Sequence, residues 1–136
     1  MHVTLVSLNG LQFDDNAQEV RVKTPIGHMV VLPGHEPITA VTSPGPVIIV
    51  DSSSKEEVFA SYGGMFEVSD DVVRILVDEV DHVDTLIESE IQDALKQAKS
   101  LKVKAKDQRE LDEAQSLIDR QLVRLEVARI RRRPRQ

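Results

Sequence analysis

The chain has 136 residues, 40% of them apolar but only 3% aromatic, with no Trp and no Cys. At this length roughly two-thirds of the unfolded surface can be buried, so one modest aliphatic core is allowed, while disulfides and thiolate chemistry are excluded. The formal net charge of −6 is unevenly divided: residues 1–82 carry 4 Lys+Arg against 13 Asp+Glu, and residues 83–136 carry 13 against 10.

That asymmetry marks two modules, which face either different partners or each other. No apolar run approaches the length needed to cross a bilayer. The N-terminus shows neither a signal-peptide nor a transit-peptide pattern, so a soluble or peripheral protein, bacterial or plastid-encoded, is expected.

Up to about Val77 the chain reads as short strands between turns. Residues 2–8 and 19–23 alternate apolar and polar side chains, as half-buried strands do. Residues 29–32 and 47–50 are continuous apolar runs, the pattern of strands covered on both faces. Residues 58–62, 65–68 and 72–77 complete the set. Turn clusters separate them at Asn9-Gly10, Thr24-Pro25-Ile26-Gly27, Ser43-Pro44-Gly45-Pro46, Asp51-Ser52-Ser53-Ser54 and Ser69-Asp70-Asp71. Many short strands with regular turns predict an antiparallel β-sandwich over residues 1–82.

After Asp84 the apolar period changes from two toward 3.6. Val83, Ile87, Ile91, Ala94, Leu95, Ala98 and Leu101 share one helical face, with carboxylates early and lysines late, which complements the helix dipole. A second helix is predicted to start near Asp107, where Asp107-Gln108-Arg109-Glu110 has capping-box spacing. Its stripe is Leu111, Ala114, Ile118, Leu122 and Leu125, helped by Leu117. The short connection, residues 102–106, makes residues 83–136 an antiparallel two-helix hairpin. A hairpin alone buries only a narrow seam, so it needs the sandwich or a partner as a second surface.

Catalytic constellations are not apparent. His28, His35 and His82 lack the spacing of zinc ligands. Ser61, Asp78 and His82 lack a nucleophile elbow. The Gly63-Gly64 pair is too little to cradle phosphate. The densest charge is Arg129-Ile130-Arg131-Arg132-Arg133-Pro134-Arg135. It reads as a solvated helix end, as a site for an acidic protein patch, or as a phosphate-binding tail for lipid or nucleic acid. The acidic remainder of the chain opposes phosphate, so an acidic protein is the better functional partner and nucleic acid is not expected.

Two motifs carry a resemblance: Leu32-Pro33-Gly34-His35-Glu36-Pro37-Ile38, and Tyr62-Gly63-Gly64-Met65-Phe66-Glu67-Val68 ahead of the helical third. In this order, over nearly the whole chain, they resemble the epsilon subunit of the F-type ATP synthase. Tyr62 stands where that family usually has Ser, and Ile38 where it has Leu. The resemblance implies a non-catalytic central-stalk rotor subunit without a resident cofactor. Its sandwich would dock on the gamma subunit and on the polar loops of the c-ring, peripheral to the cytoplasmic face of a bacterial inner membrane or its plastid thylakoid equivalent. It places His28, Pro33, Gly34 and His35 at the c-ring contact, where many relatives have Glu in place of His28. It also implies an arm that brakes ATP hydrolysis when extended, with Arg120, Arg124, Arg129, Arg131, Arg132 and Arg133 near an acidic region of the beta subunit. Some members bind ATP through an Asp on the first helix and two Arg on the second. Asp84, Arg120 and Arg124 match, but Ile87 and Glu88 stand where the motif has Arg and Ala. Losing a charged phosphate contact costs about 1.5–3 kcal/mol, so weak or absent ATP binding is expected. The competing readings are a protein-binding adaptor of an unrelated complex and a small metal-dependent sandwich enzyme.

Overall fold

The computed structural model of the chain describes the backbone of residues 1–132 and the side chains of residues 1–131. Among these residues nine strands precede two α-helices: β1 (His2–Ser7), β2 (Gly10–Thr24), β3 (Gly27–Val31), β4 (Ile38–Thr42), β5 (Gly45–Asp51), β6 (Glu56–Ser61), β7 (Gly64–Ser69), β8 (Val72–Val77), β9 (Val80–His82), α1 (Glu88–Lys104) and α2 (Gln108–Arg132). A 3-10 turn at Val83–Thr85 joins β9 to the helices.

The 15-residue strand β2 belongs to both layers of the sandwich. Its first half pairs with β1, and its second half pairs with β3 and β5. The register with β5 shifts between Ala17 and Glu19, which places the corner at Gln18, where an irregularity lets one strand change layers. One layer runs β4-β7-β8-β1-β2 and the other β2-β5-β6-β9, with β3 on the free side of β2. Neighbours are antiparallel except β1 and β8, which run parallel. Between the layers lies an aliphatic core of Val3, Leu5, Val20, Val22, Val31, Val47, Ile49, Val73 and Ile75, with Phe66 its largest side chain.

The expected β-sandwich and two-helix hairpin are both present, and several details differ. Strand β5 is covered on both faces, as its apolar run predicts. Strand β3 is not: it is an edge strand, and Val30 and Leu32 are exposed. The short strands β4 and β9 and the first half of β2 had no clear period in the sequence. On α2, Leu122 is exposed and Val123 and Val127 are buried in its place. That helix packs against α1 and also, through its C-terminal half, against the outer face of β5 and β6.

Local chemistry explains the joints. The Glu110 N–H donates to Asp107 Oδ1 at 2.8 Å, the cap predicted for α2, while Glu110 Oε2 accepts from the Lys106 N–H, one residue before the cap, at 2.9 Å. His35 N donates to Leu32 O at 3.1 Å across Pro33 and Gly34, and Gly34 has φ +84°, as a type II turn requires at its third residue. At Gly64 a Cβ would lie 2.1 Å from Leu76 O, so the Gly pair marks a close approach of β7 to its paired strand β8, where the chain arrives from β6, rather than a hairpin.

Candidate docking surfaces

The outer face of the β4-β7-β8-β1-β2 layer is divided by polarity. Register pairs Val41 with Met65, Met65 with Leu76, Leu76 with Val6, and Val6 with Leu11. These five side chains form an apolar row across all five strands. Val6 is half-buried and the other four are exposed. The next outward row is Thr39, Glu67, Arg74, Thr4 and Asp14, with Arg74 Nη1 3.3 Å from Glu67 Oε1. Two residues along a strand, about 7 Å, separate an apolar surface from a charged one. At the same end of the sandwich, Leu8 is 82% and Ile26 100% exposed, each on a hairpin tip. Around Ile26, a hollow of about 400 Å³ is lined by Pro25, His28, Met29, Ile38, Ala40 and Val41.

The second surface joins α2 to the segment that follows β8. Arg120 pairs with Glu79, and its guanidinium lies 4.1 Å from the centroid of the Tyr62 ring. Arg124 Nε lies 3.8 Å from Asp81 Oδ2, which also accepts the Tyr62 hydroxyl at 2.5 Å. Arg131 reaches Asp84 at 3.6 Å and Arg129 reaches Glu88 at 3.5 Å. From Arg120 to Arg124 the helix rises about 6 Å, close to the extended span from Glu79 to Asp81 at about 3.3 Å per residue. Arg120 and Arg124 are therefore in register with Glu79 and Asp81, a two-rung ladder, while Arg129 and Arg131 pair in crossed order with Glu88 and Asp84. Burial first, then the hydrogen bond to Asp81, pushes the Tyr62 phenol well above its ordinary range, so it stays a donor. Beneath the ladder, Val58, Ala60, Val83, Leu86, Ile91, Val123, Leu125, Val127 and Ala128 form a second apolar cluster. The Gln121 Oε1 and Arg124 Nε atoms are buried there without a hydrogen-bond partner among the described residues.

Residues 1–83 match the family described as the ATP synthase, Delta/Epsilon chain, beta-sandwich domain. The chain belongs to the ATP synthase delta/epsilon family. Its fold is similar to a chain of the Euglena gracilis mitochondrial ATP synthase, in a structure of OSCP, F1 and c-ring. The TM-score is 0.77 at 21% identity, over 86% of this chain and 74% of that one. It is also similar to a chain from the Tetrahymena thermophila mitochondrial ATP synthase central stalk and c-ring, with a TM-score of 0.62 at 17% identity over 94% and 96% of the two chains.

Within this delta/epsilon chain the expected site residues separate. His28 lies beside the β2–β3 hairpin tip, at the apolar end of the sandwich. Pro33, Gly34 and His35 lie beyond the other end of β3, roughly 13 Å away along the strand. There the Gly34 N–H donates to Asp71 Oδ1 at 3.1 Å, and His35 Nδ1 is 2.7 Å from Glu36 O. The four do not form one surface. Arg120, Arg124 and Arg131 line one side of α2 and Arg129 lies on another, toward Glu88 of α1; each faces a carboxylate of this chain, whereas the Arg132 side chain and Arg133 lie outside the described residues. Asp84, matched to the nucleotide motif, is shared between Arg131 and His82. His82 binds Glu57 through Nε2, and the Ser61 hydroxyl accepts from Gly63 N. Among the described residues no three His, Asp or Glu are grouped to hold a metal, and no helix is long and apolar enough to cross a membrane.

Glu79, Asp81 and the apolar row were not singled out by sequence. The row was readable in principle, since Met65 and Leu76 sit out of phase with the core positions Phe66 and Ile75. The carboxylate ladder was not, because sequence alone does not show that an acidic segment lies against a basic helix.

Proposed function

We propose that this chain is a non-catalytic rotor subunit of an F-type ATP synthase, transmitting c-ring rotation through gamma. The observation that carries the reading is the apolar row of Val41, Met65, Leu76, Val6 and Leu11 on a protein of the delta/epsilon family. A continuous apolar stripe beside a charged one is the usual core-and-rim pattern of a protein interface, and gamma is the partner the family implies. The tips at Leu8 and Ile26, with His28 beside them, belong to the same end and are assigned to the c-ring loops. The turn at Pro33, Gly34 and His35 belongs to the opposite end, so the reading divides the expected contact and keeps only His28 in it.

Residues 1–82 act in this reading as the docking module and residues 83–136 as an arm. Arg120 and Arg124 are occupied by Glu79 and Asp81 of the docking module while the arm is docked, and become available to an acidic region of the beta subunit only when it leaves; Arg129 and Arg131 pair with Glu88 and Asp84 of the arm itself. The same carboxylates leave little affinity for ATP at Asp84, Arg120 and Arg124. Peripheral attachment to the membrane follows from the complex, at a bacterial inner membrane or its thylakoid equivalent.

The test adds the purified chain to the matching catalytic head lacking it, and reads co-elution with gamma and the ATP hydrolysis rate. Leu76→Glu, in the apolar row, is expected to abolish co-elution, and Arg74→Glu, one row away, to leave it nearly intact. Failure of the unaltered chain to co-elute, where an established epsilon subunit does, overturns the reading in favour of an unrelated adaptor.

A further inference from the structure

His82 is the last residue of β9 and the point where the sandwich passes into the helices. Both of its ring nitrogens are engaged. Nε2 lies 2.6 Å from Glu57 Oε2 on β6, and Nδ1 accepts the Asp84 N–H at 3.1 Å, capping the 3-10 turn. An N–H pointing at Nδ1 fixes the lone pair there and puts the ring proton on Nε2. Asp84 Oδ2 lies 3.4 Å from the same Nδ1, while its Oδ1 lies 3.6 Å from Arg131 on α2. The ring stands edge-on to Phe59 at 5.1 Å.

The charged groups around the imidazole come from every element packed on it. Glu57 and Glu56 belong to β6, Asp84 to the 3-10 turn, Arg131 to α2, and Lys55 to the β5–β6 connection, 3.0 Å from Glu57. Among the described residues, Glu57 and Asp84 touch the ring directly, and Lys55 and Arg131 reach it through those carboxylates. The Glu57 carboxyl is held below its usual range, first by the hydrogen bond from His82, against the opposing effect of partial burial, with further help from Lys55. A second proton on His82 therefore has a place to go, at Nδ1, and two carboxylates to offset it.

We infer that His82 is a pH-sensitive joint: its protonation at Nδ1 uncaps the 3-10 turn and draws the Asp84 carboxylate from Arg131, loosening the end of α2 from the sandwich. The chemistry is a change of role at one atom. Neutral Nδ1 accepts the Asp84 N–H, whereas protonated Nδ1 donates and repels it. Among the described residues its acceptor is Asp84 Oδ2, 3.4 Å away on the carboxylate that serves Arg131. Acidification thus exchanges a backbone cap and an arm contact for an ion pair at the root, and Glu57 holds Nε2 in both states. The inference concerns the isolated chain and does not depend on its role in a synthase.

The experiment uses the full chain and follows the His82 ring nitrogens by NMR from about pH 8 to 5, with amide exchange measured at each step and corrected for intrinsic rate. Above the titration, Nδ1 is expected to show the shift of an unprotonated acceptor. As His82 gains its proton, Asp84 amide exchange is expected to accelerate roughly fivefold to tenfold, the equivalent of one lost hydrogen bond. Amides of residues 129–131 should loosen on the same curve. His82→Gln, which keeps a neutral acceptor, should flatten both curves, and Asp84→Asn should flatten only the one at residues 129–131. A proton on Nδ1 at neutral pH, an Asp84 amide indifferent to the titration, or an unchanged response in His82→Gln would each overturn the inference.

Discussion

The two apolar clusters of this molecule are built differently. The sandwich core is closed on both sides by strands and filled by Val, Ile, Leu and Phe66, without a charged side chain. The cluster under α2 is smaller and ringed by four ion pairs, and beside it Gln121 Oε1 and Arg124 Nε are buried without a hydrogen-bond partner among the described residues, against the single Thr42 Oγ1 in the sandwich. Exposed pairs of this kind contribute only about 0–1 kcal/mol each, and an unpartnered buried polar group costs about 1–3 kcal/mol. The first arrangement fixes a fold. The second attaches one element to it through weaker contacts, a difference that follows from where charge is placed rather than from how much apolar surface is present.

Substitutions can break that contrast, and the largest effect belongs to the sandwich. Phe66→Ala should cost about 3–5 kcal/mol and lower the denaturant midpoint of the whole chain, since Phe66 is 1% exposed at the centre of the core. Val127→Asp should act more locally. It buries an unpaired carboxylate under α2, at a cost the joint cannot absorb. The expected outcome is a chain that keeps cooperative unfolding of the sandwich but loses amide protection along α2. Tyr62→Ser removes both the hydroxyl to Asp81 and the ring under Arg120. A docking loss of about 1–2 kcal/mol is expected, and a double-mutant cycle with Arg120→Ala should show most of the ring's share as coupling.

The smallest effect is in pH. Glu57 has a folded-state pKa depressed below its ordinary value of 4.5. Its contribution is therefore complete above that value and lost as pH falls through the depressed one. Glu57→Gln should lower stability by a small constant amount across the neutral range and remove this fall on the acid limb, so that variant and parent converge at low pH, as read by urea unfolding at stepped pH.

Sequence legibility follows the same division. Strands β1, β5, β7 and β8 and the start of α2 at Asp107 were readable because local pattern and tertiary packing agree there. Strand β4 and the first half of β2 were not, since Ile38–Thr42 is short and Asp14, Asp15 and Asn16 are poor strand formers held by pairing with β1. Strand β9 reads as a polar linker because Asp81 and His82 satisfy their charges against α2 and β6, which no local pattern records. On α2 the expected stripe through Leu122 assumed one buried face. Val123 and Val127, four residues apart, carry the second face, and their spacing was visible although its partner was not. The arginines were read as charges waiting for a partner, and the structure supplies carboxylates from the chain itself.

Because the chain has no Cys, single introduced thiols can compare the two clusters directly. Val127→Cys and Ile75→Cys, both at 0% exposure in the parent, would be labelled with a thiol reagent over a low range of denaturant. The account predicts that Cys at position 127 reacts through a partial opening, of low free energy and weak denaturant dependence, while the sandwich stays folded, and that Cys at position 75 reacts only on global unfolding. Equal opening energies and equal denaturant slopes at the two positions would contradict it, making arm and sandwich one cooperative unit.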